Sequence, residues 1–216
     1  MKTVTLKLYE YGELSDEAKA NARSWYRSEF LEGMHVDVGE MMEYTVDDAR
    51  SAAALLGIRI ASRGRAGGPL PPNIYYDGLD VNDFLYFEGT YAYREDSIDK
   101  IREEYPKDEE LNRIAIELRR LAAMYDCDAT FCIGLHMRFH KQMTVDMQGW
   151  ERRELADETQ RQYIGEVLDL MDDFARWIHK RLRDEWDYQT SNDSIAERCA
   201  ENAYMFTEDG GPWLED

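Results

Sequence analysis

The stretch that decides the fold class is residues 131–147, which read FCIGLHMRFHKQMTVDM. Apolar side chains occupy its odd positions from Phe131 to Phe139 and again from Met143 to Met147. A repeat of two residues is typical of a strand that is buried on one face. We therefore predict two antiparallel strands joined by a turn near residues 140–142.

Three further segments have strand-like patterns. Residues 3–9 alternate in polarity, residues 58–60 form a short apolar alternation, and residues 84–93 are rich in aromatic side chains at two-residue spacing. The aromatic content of residues 84–93 favours a central strand of a sheet. Gly89 inside this strand predicts a bulge or the close approach of another element.

Six segments have helical periodicity or capping signals, and we predict helices over residues 16–30, 45–56, 97–105, 107–125, 157–187 and 191–204. Ser15, Asp96 and Thr190 are the predicted N-caps of three of these helices. Gly57 is the predicted C′ residue that ends the second one.

These elements predict an α+β fold with a mostly antiparallel sheet of about five strands and helices packed over one face. Strand patterns continue on both sides of residues 63–73, which contain three glycines and three prolines. We interpret that stretch as a flexible insertion within a single domain over residues 1–216.

Composition excludes several classes of protein. The chain has 216 residues, with 26 basic and 45 acidic side chains and a net charge of −19. Such a charge repels phosphates and anionic lipids, so we expect neither direct nucleic acid binding nor membrane binding. The start of the chain lacks a signal-like pattern, and its three cysteines lack CxxC spacing. We therefore expect a cytoplasmic protein without a metal or cofactor.

The acidic side chains are concentrated in two places. Residues 184–216 contain ten acidic side chains and one basic one, and residues 31–56 contain six acidic side chains and one basic one. Carboxylates three or four residues apart on a helix form a regular row of charge, as phosphates do along a nucleic acid strand. Trp213 is a candidate anchor because an aromatic side chain among charged ones is typical of a binding hot spot. The candidate partner-binding residues are Asp184, Glu185, Asp187, Asp193, Glu197, Glu201, Glu208, Asp209, Glu40, Glu43, Asp47, Asp48 and Trp213.

A second candidate site lies on the polar face of the predicted 131–147 hairpin, where His136, His140 and Asp146 occur. A histidine beside a carboxylate suits hydrolase or phosphodiesterase chemistry. The two histidines are four residues apart, which on a strand is about 13 Å and too far to share one metal ion. The competing interpretation is a sheet face that is solvated or partly covered by a helix.

Five blocks of the chain match a pattern found in other proteins, namely Leu14–Tyr26, Phe87–Tyr93, Asp173–Ile178, Tyr188–Ser191 and Phe206–Gly210. These blocks resemble a family of uncharacterised phage and prophage proteins whose members are often labelled antitoxins of a toxin–antitoxin stability system. The resemblance implies a phage origin and supplies no catalytic residues.

The combined features predict a non-enzymatic phage protein of the anti-CRISPR or anti-defence type. We expect it to bind a host defence or nucleic-acid-processing protein by occupying a basic groove in place of nucleic acid. An antitoxin that neutralises a cognate toxin is the second hypothesis. A hydrolase or phosphodiesterase that uses His136, His140 and Asp146 is the third.

Overall fold

The computed structural model of the chain describes residues 6–29, 42–62, 72–76, 79, 85–125, 132–138, 142–146 and 158–213. Side chains are described in these ranges except at residues 132–138, 142–146, 159 and 160. The chain divides into two compact units. We call residues 1–43 with 184–216 the terminal unit, and residues 44–183 the central unit. The prediction of a single domain stays a prediction.

The described residues form both helices and strands, which confirms the α+β class. The helices are α1 (Asp16–Tyr26), α2 (Glu43–Leu56), α3 (Ser97–Glu104), α4 (Glu109–Met124), α5 (Glu158–Gln189) and α6 (Asn192–Glu201). The strands are β1 (Tyr9–Glu10), β2 (Ile58–Ile60), β3 (Ile74–Tyr76), β4 (Leu85–Phe87), β5 (Gly89–Ala92), β6 (Cys132–Arg138), β7 (Gln142–Asp146), β8 (Met205–Phe206) and β9 (Pro212–Trp213).

Side-chain caps begin three of the described helices, α1, α4 and α6. Asp96 precedes α3 as predicted, but its side chain makes no capping hydrogen bond, because its carboxylate accepts from the guanidinium of Arg94. The hydroxyl of Ser15 accepts a hydrogen bond from the Ala18 N–H, as predicted for the start of α1. Gly57 follows α2 with a φ of 85°, a left-handed conformation that glycine adopts without a Cβ clash. The prediction of Thr190 as the N-cap of α6 is wrong by one residue, because the hydroxyl of Ser191 accepts the hydrogen bond from the Ser194 N–H.

The terminal unit joins the two ends of the chain. Its three-stranded antiparallel sheet has the order β1-β8-β9. The core packs the buried face of α1 against α6 and β8, and consists of Tyr11, Leu14, Ala18, Ala22, Tyr26, Ile195, Cys199 and Phe206. Two alanines four residues apart on α1 allow close helix packing. The strand predicted over residues 3–9 begins only at Tyr9 in the described part of the chain.

The central unit contains a four-stranded antiparallel sheet of order β2-β5-β6-β7 and a separate two-stranded pair, β3-β4. The hairpin predicted from residues 131–147 is confirmed as β6 and β7, with His136 opposite Thr144. The prediction of one sheet of about five strands is wrong, because the strands divide among separate sheets. Among the described residues the sheets have three, four and two strands.

The physical reason for this correction lies at Glu88. Its N–H donates to the carbonyl of Asn73 at 3.0 Å, and its own carbonyl accepts from the Ala61 N–H at 2.8 Å. The segment predicted as one strand over residues 84–93 therefore divides into β4 and β5. β4 pairs with β3, whereas β5 lies centrally between β2 and β6.

Helices α4 and α5 supply much of the apolar core of the central unit. Leu111, Ile114, Leu118 and Leu121 are buried on α4, and Val167, Met171, Phe174 and Ile178 are buried on α5. The ring of Phe174 meets that of Phe87 on β4 edge to face, with centroids 5.8 Å apart. Burial of these side chains holds the helices and the strand together.

The predicted insertion lies mostly outside the described residues. Only its last two residues, Pro72 and Asn73, are described, and Pro72 forms an isolated antiparallel bridge with Ser62. No helix in the described ranges is long and apolar enough to cross a membrane.

Candidate acidic interaction surface

A row of three carboxylates lies along α6. Asp193, Glu197 and Glu201 are four residues apart and exposed. Because a helix rises about 1.5 Å per residue, successive members of the row are about 6 Å apart along the axis. Ile195 and Cys199 of the same helix face the core, and a two-residue offset corresponds to about 200° around a helix. Core packing therefore turns the row toward solvent.

The row is not neutralised by the one basic residue of α6. The guanidinium of Arg198 donates to the side-chain oxygen of Gln189. No ion pair joins Asp193, Glu197 or Glu201 to another described residue. Asp193 also lies in the first turn of α6, where the helix dipole favours a negative charge.

The remaining acidic residues of the C-terminal cluster lie in the same unit. Asp184 and Asp187 are exposed near the end of α5, whereas Glu185 is half-buried and accepts a hydrogen bond from Gln189. Glu208 is exposed on the turn between β8 and β9. The terminal unit thus contains every described member of this cluster.

Asp209 is fixed within the β8–β9 turn. Its carboxylate accepts a hydrogen bond from the Thr207 hydroxyl at 2.6 Å, and its carbonyl accepts from the side-chain amide of Asn21 at 2.9 Å. The hydrogen bond from the Thr207 hydroxyl holds the pKa of the Asp209 carboxyl below its ordinary value, and the Gly211 N–H contributes a smaller effect in the same direction. Gly210 allows the tight turn with a φ of 86°. Asp209 therefore presents a permanent negative charge at neutral pH.

Trp213 is the aromatic candidate, and it lies on the edge strand β9 opposite Met205. The side chain is 44% exposed. A large exposed aromatic side chain in an acidic unit matches the composition expected of an interface anchor.

In the second acidic cluster, basic side chains contact two of the carboxylates. Asp48 is half-buried, accepts a hydrogen bond from the Tyr105 hydroxyl at 2.7 Å, and pairs with Arg181 at 2.9 Å. Burial raises the pKa of the Tyr105 hydroxyl, and its hydrogen bond to Asp48 contributes a smaller effect in the same direction. Asp47 is exposed and lies 3.4 Å from Arg50. Glu43 is exposed at the start of α2, and Glu40 lies outside the described residues.

The hairpin alternative is placed only by its backbone. His136 lies opposite Thr144, and Asp146 lies opposite Gly134, so the two residues are diagonal neighbours in the ladder. His140 lies outside the described residues. No group of histidine, cysteine or carboxylate side chains that could hold a metal ion occurs in the described part of the chain.

Sequence reasoning missed a polar network in the central unit. The indole N–H of Trp177 donates to Asp108 at 2.8 Å, and the other oxygen of Asp108 caps α4 by accepting from the Leu111 N–H. The guanidinium of Arg181 lies over the Trp177 ring, 5.5 Å from its centroid. The capping position of Asp108 was the one signal available in the sequence.

A family model described as a domain of unknown function (DUF8835) matches residues 41–192. No curated protein and no solved structure is significantly similar to the chain. The carboxylate row of α6 begins immediately after the matched residues.

Proposed function

The chain belongs to the DUF8835 family, whose function is unknown, and we propose that this member is a non-enzymatic, phage-encoded inhibitor acting through its acidic surface. Its partner is a host defence or nucleic-acid-processing protein with a basic groove. The acidic surface, which we define as Asp193, Glu197, Glu201, Glu208 and Asp209, occupies that groove in place of nucleic acid.

The observation that carries this proposal is the uncompensated row on α6. Its carboxylates are exposed, regularly spaced and without an ion pair to a described residue. If these carboxylates served only to keep the protein soluble, a regular spacing would not be required. The row lies beyond residues 41–192, so the proposal concerns this chain and not its family as a whole.

The test neutralises the row in the full chain with Asp193→Asn, Glu197→Gln and Glu201→Gln. Glu95→Gln, Glu104→Gln and Asp169→Asn form the matched control, because these three residues are also exposed and lie elsewhere. Each variant is used as bait in a pull-down from a bacterial host lysate at about 0.05 M and about 0.5 M salt. Any captured protein is then competed with duplex DNA.

We expect the wild type and the control to retain the partner at low salt and the row variant to lose it. Exposed charge pairs contribute up to about 1 kcal/mol each, so three of them predict a loss of roughly tenfold to a hundredfold in affinity. Duplex DNA should displace the partner. Affinity that stays constant as the salt concentration rises, or that survives in the row variant, would contradict the proposal.

The antitoxin hypothesis uses the same surface against a basic toxin. It predicts that growth arrested by a toxin encoded next to this gene is rescued on co-expression, and that the row variant fails to rescue. The hydrolase hypothesis stays a prediction, because the side chains of His136 and Asp146 lie outside those described.

A further inference from the structure

A groove in the central unit runs between α2 and β2. It has a volume of about 470 Å³ and is lined by Asp47, Arg50, Ser51 and Ala54 of α2 and by Ile58, Arg59 and Ile60 of β2. The α2 residues follow the three- and four-residue spacing of a single helix face. This groove lies within residues 41–192, the range matched by the family, and contains none of the acidic surface.

The β2 side of the groove is the edge of the four-stranded sheet. The Gly57 carbonyl accepts from the Ala92 N–H at 2.9 Å, and the Ala61 N–H donates to the Glu88 carbonyl at 2.8 Å. Hydrogen-bonded pairs alternate in an antiparallel ladder, so residues 57, 59 and 61 face β5. Ile58 and Ile60 consequently direct their N–H and C=O groups away from β5.

An edge strand with outward backbone groups is a template for a further strand. Ile58 is 1% exposed and forms the floor of the groove, whereas Ile60 is 9% exposed and lies nearer to solvent. An extended segment lying in the groove would exchange both hydrogen bonds with Ile60. The α2 face would then contact the side chains of that segment.

The charges of the groove differ from those of the chain as a whole. Two of its three charged side chains are arginines, although the chain has a net charge of −19. Arg59 is exposed and has no ion pair with another described residue. Arg50 forms an exposed ion pair with Asp47, which a stronger partner can displace. Guanidinium groups bind carboxylates through charge-assisted hydrogen bonds, and a carboxylate is the anionic group that unmodified peptide side chains carry.

We propose that this groove binds an extended peptide segment that carries an aspartate or glutamate. The segment adds as a strand along β2, pairs its backbone with Ile60, and places its carboxylate against Arg59. The site is thus a second interaction surface of the protein, of opposite charge preference to the acidic surface.

The test uses a phage-displayed library of random linear heptapeptides, selected on the full chain. Ala54→Trp fills the groove, and Arg59→Glu reverses its charge. Ala123→Trp and Arg119→Glu are the matched controls, since both residues are exposed on α4 and do not line the groove. Binding of a synthetic peptide of the enriched sequence is measured for all five proteins.

We expect enriched peptides to contain acidic residues beside β-branched ones. Loss of a charge-assisted hydrogen bond predicts that Arg59→Glu weakens binding by about tenfold or more. Ala54→Trp should abolish binding, and both controls should bind as the wild type does. Hydrogen exchange at the Ile60 amide should slow when the peptide is bound.

Three results would overturn the proposal. The first is a library that yields no enriched peptide, and the second is an enriched peptide that binds Ala54→Trp and Arg59→Glu as tightly as the wild type. The third is self-association of the wild type that Ala54→Trp abolishes, which would make a second copy of the chain the occupant. Circular dichroism shows whether Ala54→Trp is folded, and Arg59→Glu decides the question if it is not.

Discussion

Gly89→Ala tests why a glycine begins the central strand β5. A Cβ at position 89 would lie 2.1 Å from the carbonyl oxygen of Arg59 on the neighbouring strand β2. An ordinary carbon–oxygen contact is about 3.3 Å, so the two strands would have to separate by about 1.2 Å. The ladder bonds between Ala61 and Glu88 and between Gly57 and Ala92, now 2.8 and 2.9 Å, would be stretched beyond hydrogen-bonding distance.

The expected cost follows from these contacts. Overpacking costs about 1–3 kcal/mol, and two lost backbone hydrogen bonds add about 1 kcal/mol each. We therefore expect Gly89→Ala to lower the free energy of unfolding by about 3–5 kcal/mol, measured by urea denaturation followed by circular dichroism.

Gly165→Ala is the matched control for this substitution. Gly165 is exposed on α5, and a Cβ there would meet no atom within 4 Å. Alanine is the better helix former, so this variant should gain about 0.5–1 kcal/mol. A Gly89→Ala protein whose stability lies within about 1 kcal/mol of the wild type would refute the steric reasoning.

Two further outcomes concern side-chain hydrogen bonds. Trp177→Phe removes the N–H that donates to the half-buried Asp108. Because a hydrogen bond to a charged group is lost, we expect a destabilisation of about 2–3 kcal/mol in the same denaturation assay. A Trp177→Phe protein as stable as the wild type would contradict a stabilising role for this bond. The pKa of Asp209 is lowered by Thr207, so its stabilising effect is fully present above the ordinary aspartate pKa of about 3.9 and is lost as the pH falls through the lowered value. The stability difference between the wild type and Asp209→Asn should therefore be largest near pH 6 and should disappear in acid. A difference that is independent of pH would contradict this assignment.

The elements that the sequence predicts well are those that depend on interactions between residues close together along the chain. Ser15 begins α1 because its hydroxyl reaches an N–H three residues away. The predicted helices over residues 107–125 and 157–187 correspond to α4 and α5 within two residues at each end. The alternation of residues 131–147 likewise predicts the pairing of β6 with β7 across a short turn. Each of these signals is complete within a few residues.

The candidate sites divide in the same way. The sequence locates the acidic residues 184–209, and the burial of Ile195 and Cys199 turns the row of α6 outward. The sequence gives Asp48 the same apparent role as Asp193. Only the folded chain brings Tyr105 and Arg181 to Asp48, from positions 57 and 133 residues away.

The sequence by itself determined the mixed α+β class, the helices, the hairpin and the net charge of −19. Tertiary structure alone decided that Leu85–Phe87 and Gly89–Ala92 belong to two different sheets, that Arg59 and Arg50 line one groove, and that Asp48 is paired. The physical reason is the range of the interactions. Helical periodicity and caps act within one or two turns, whereas strand partners and ion pairs depend on which distant backbone and side-chain groups meet when the core is buried.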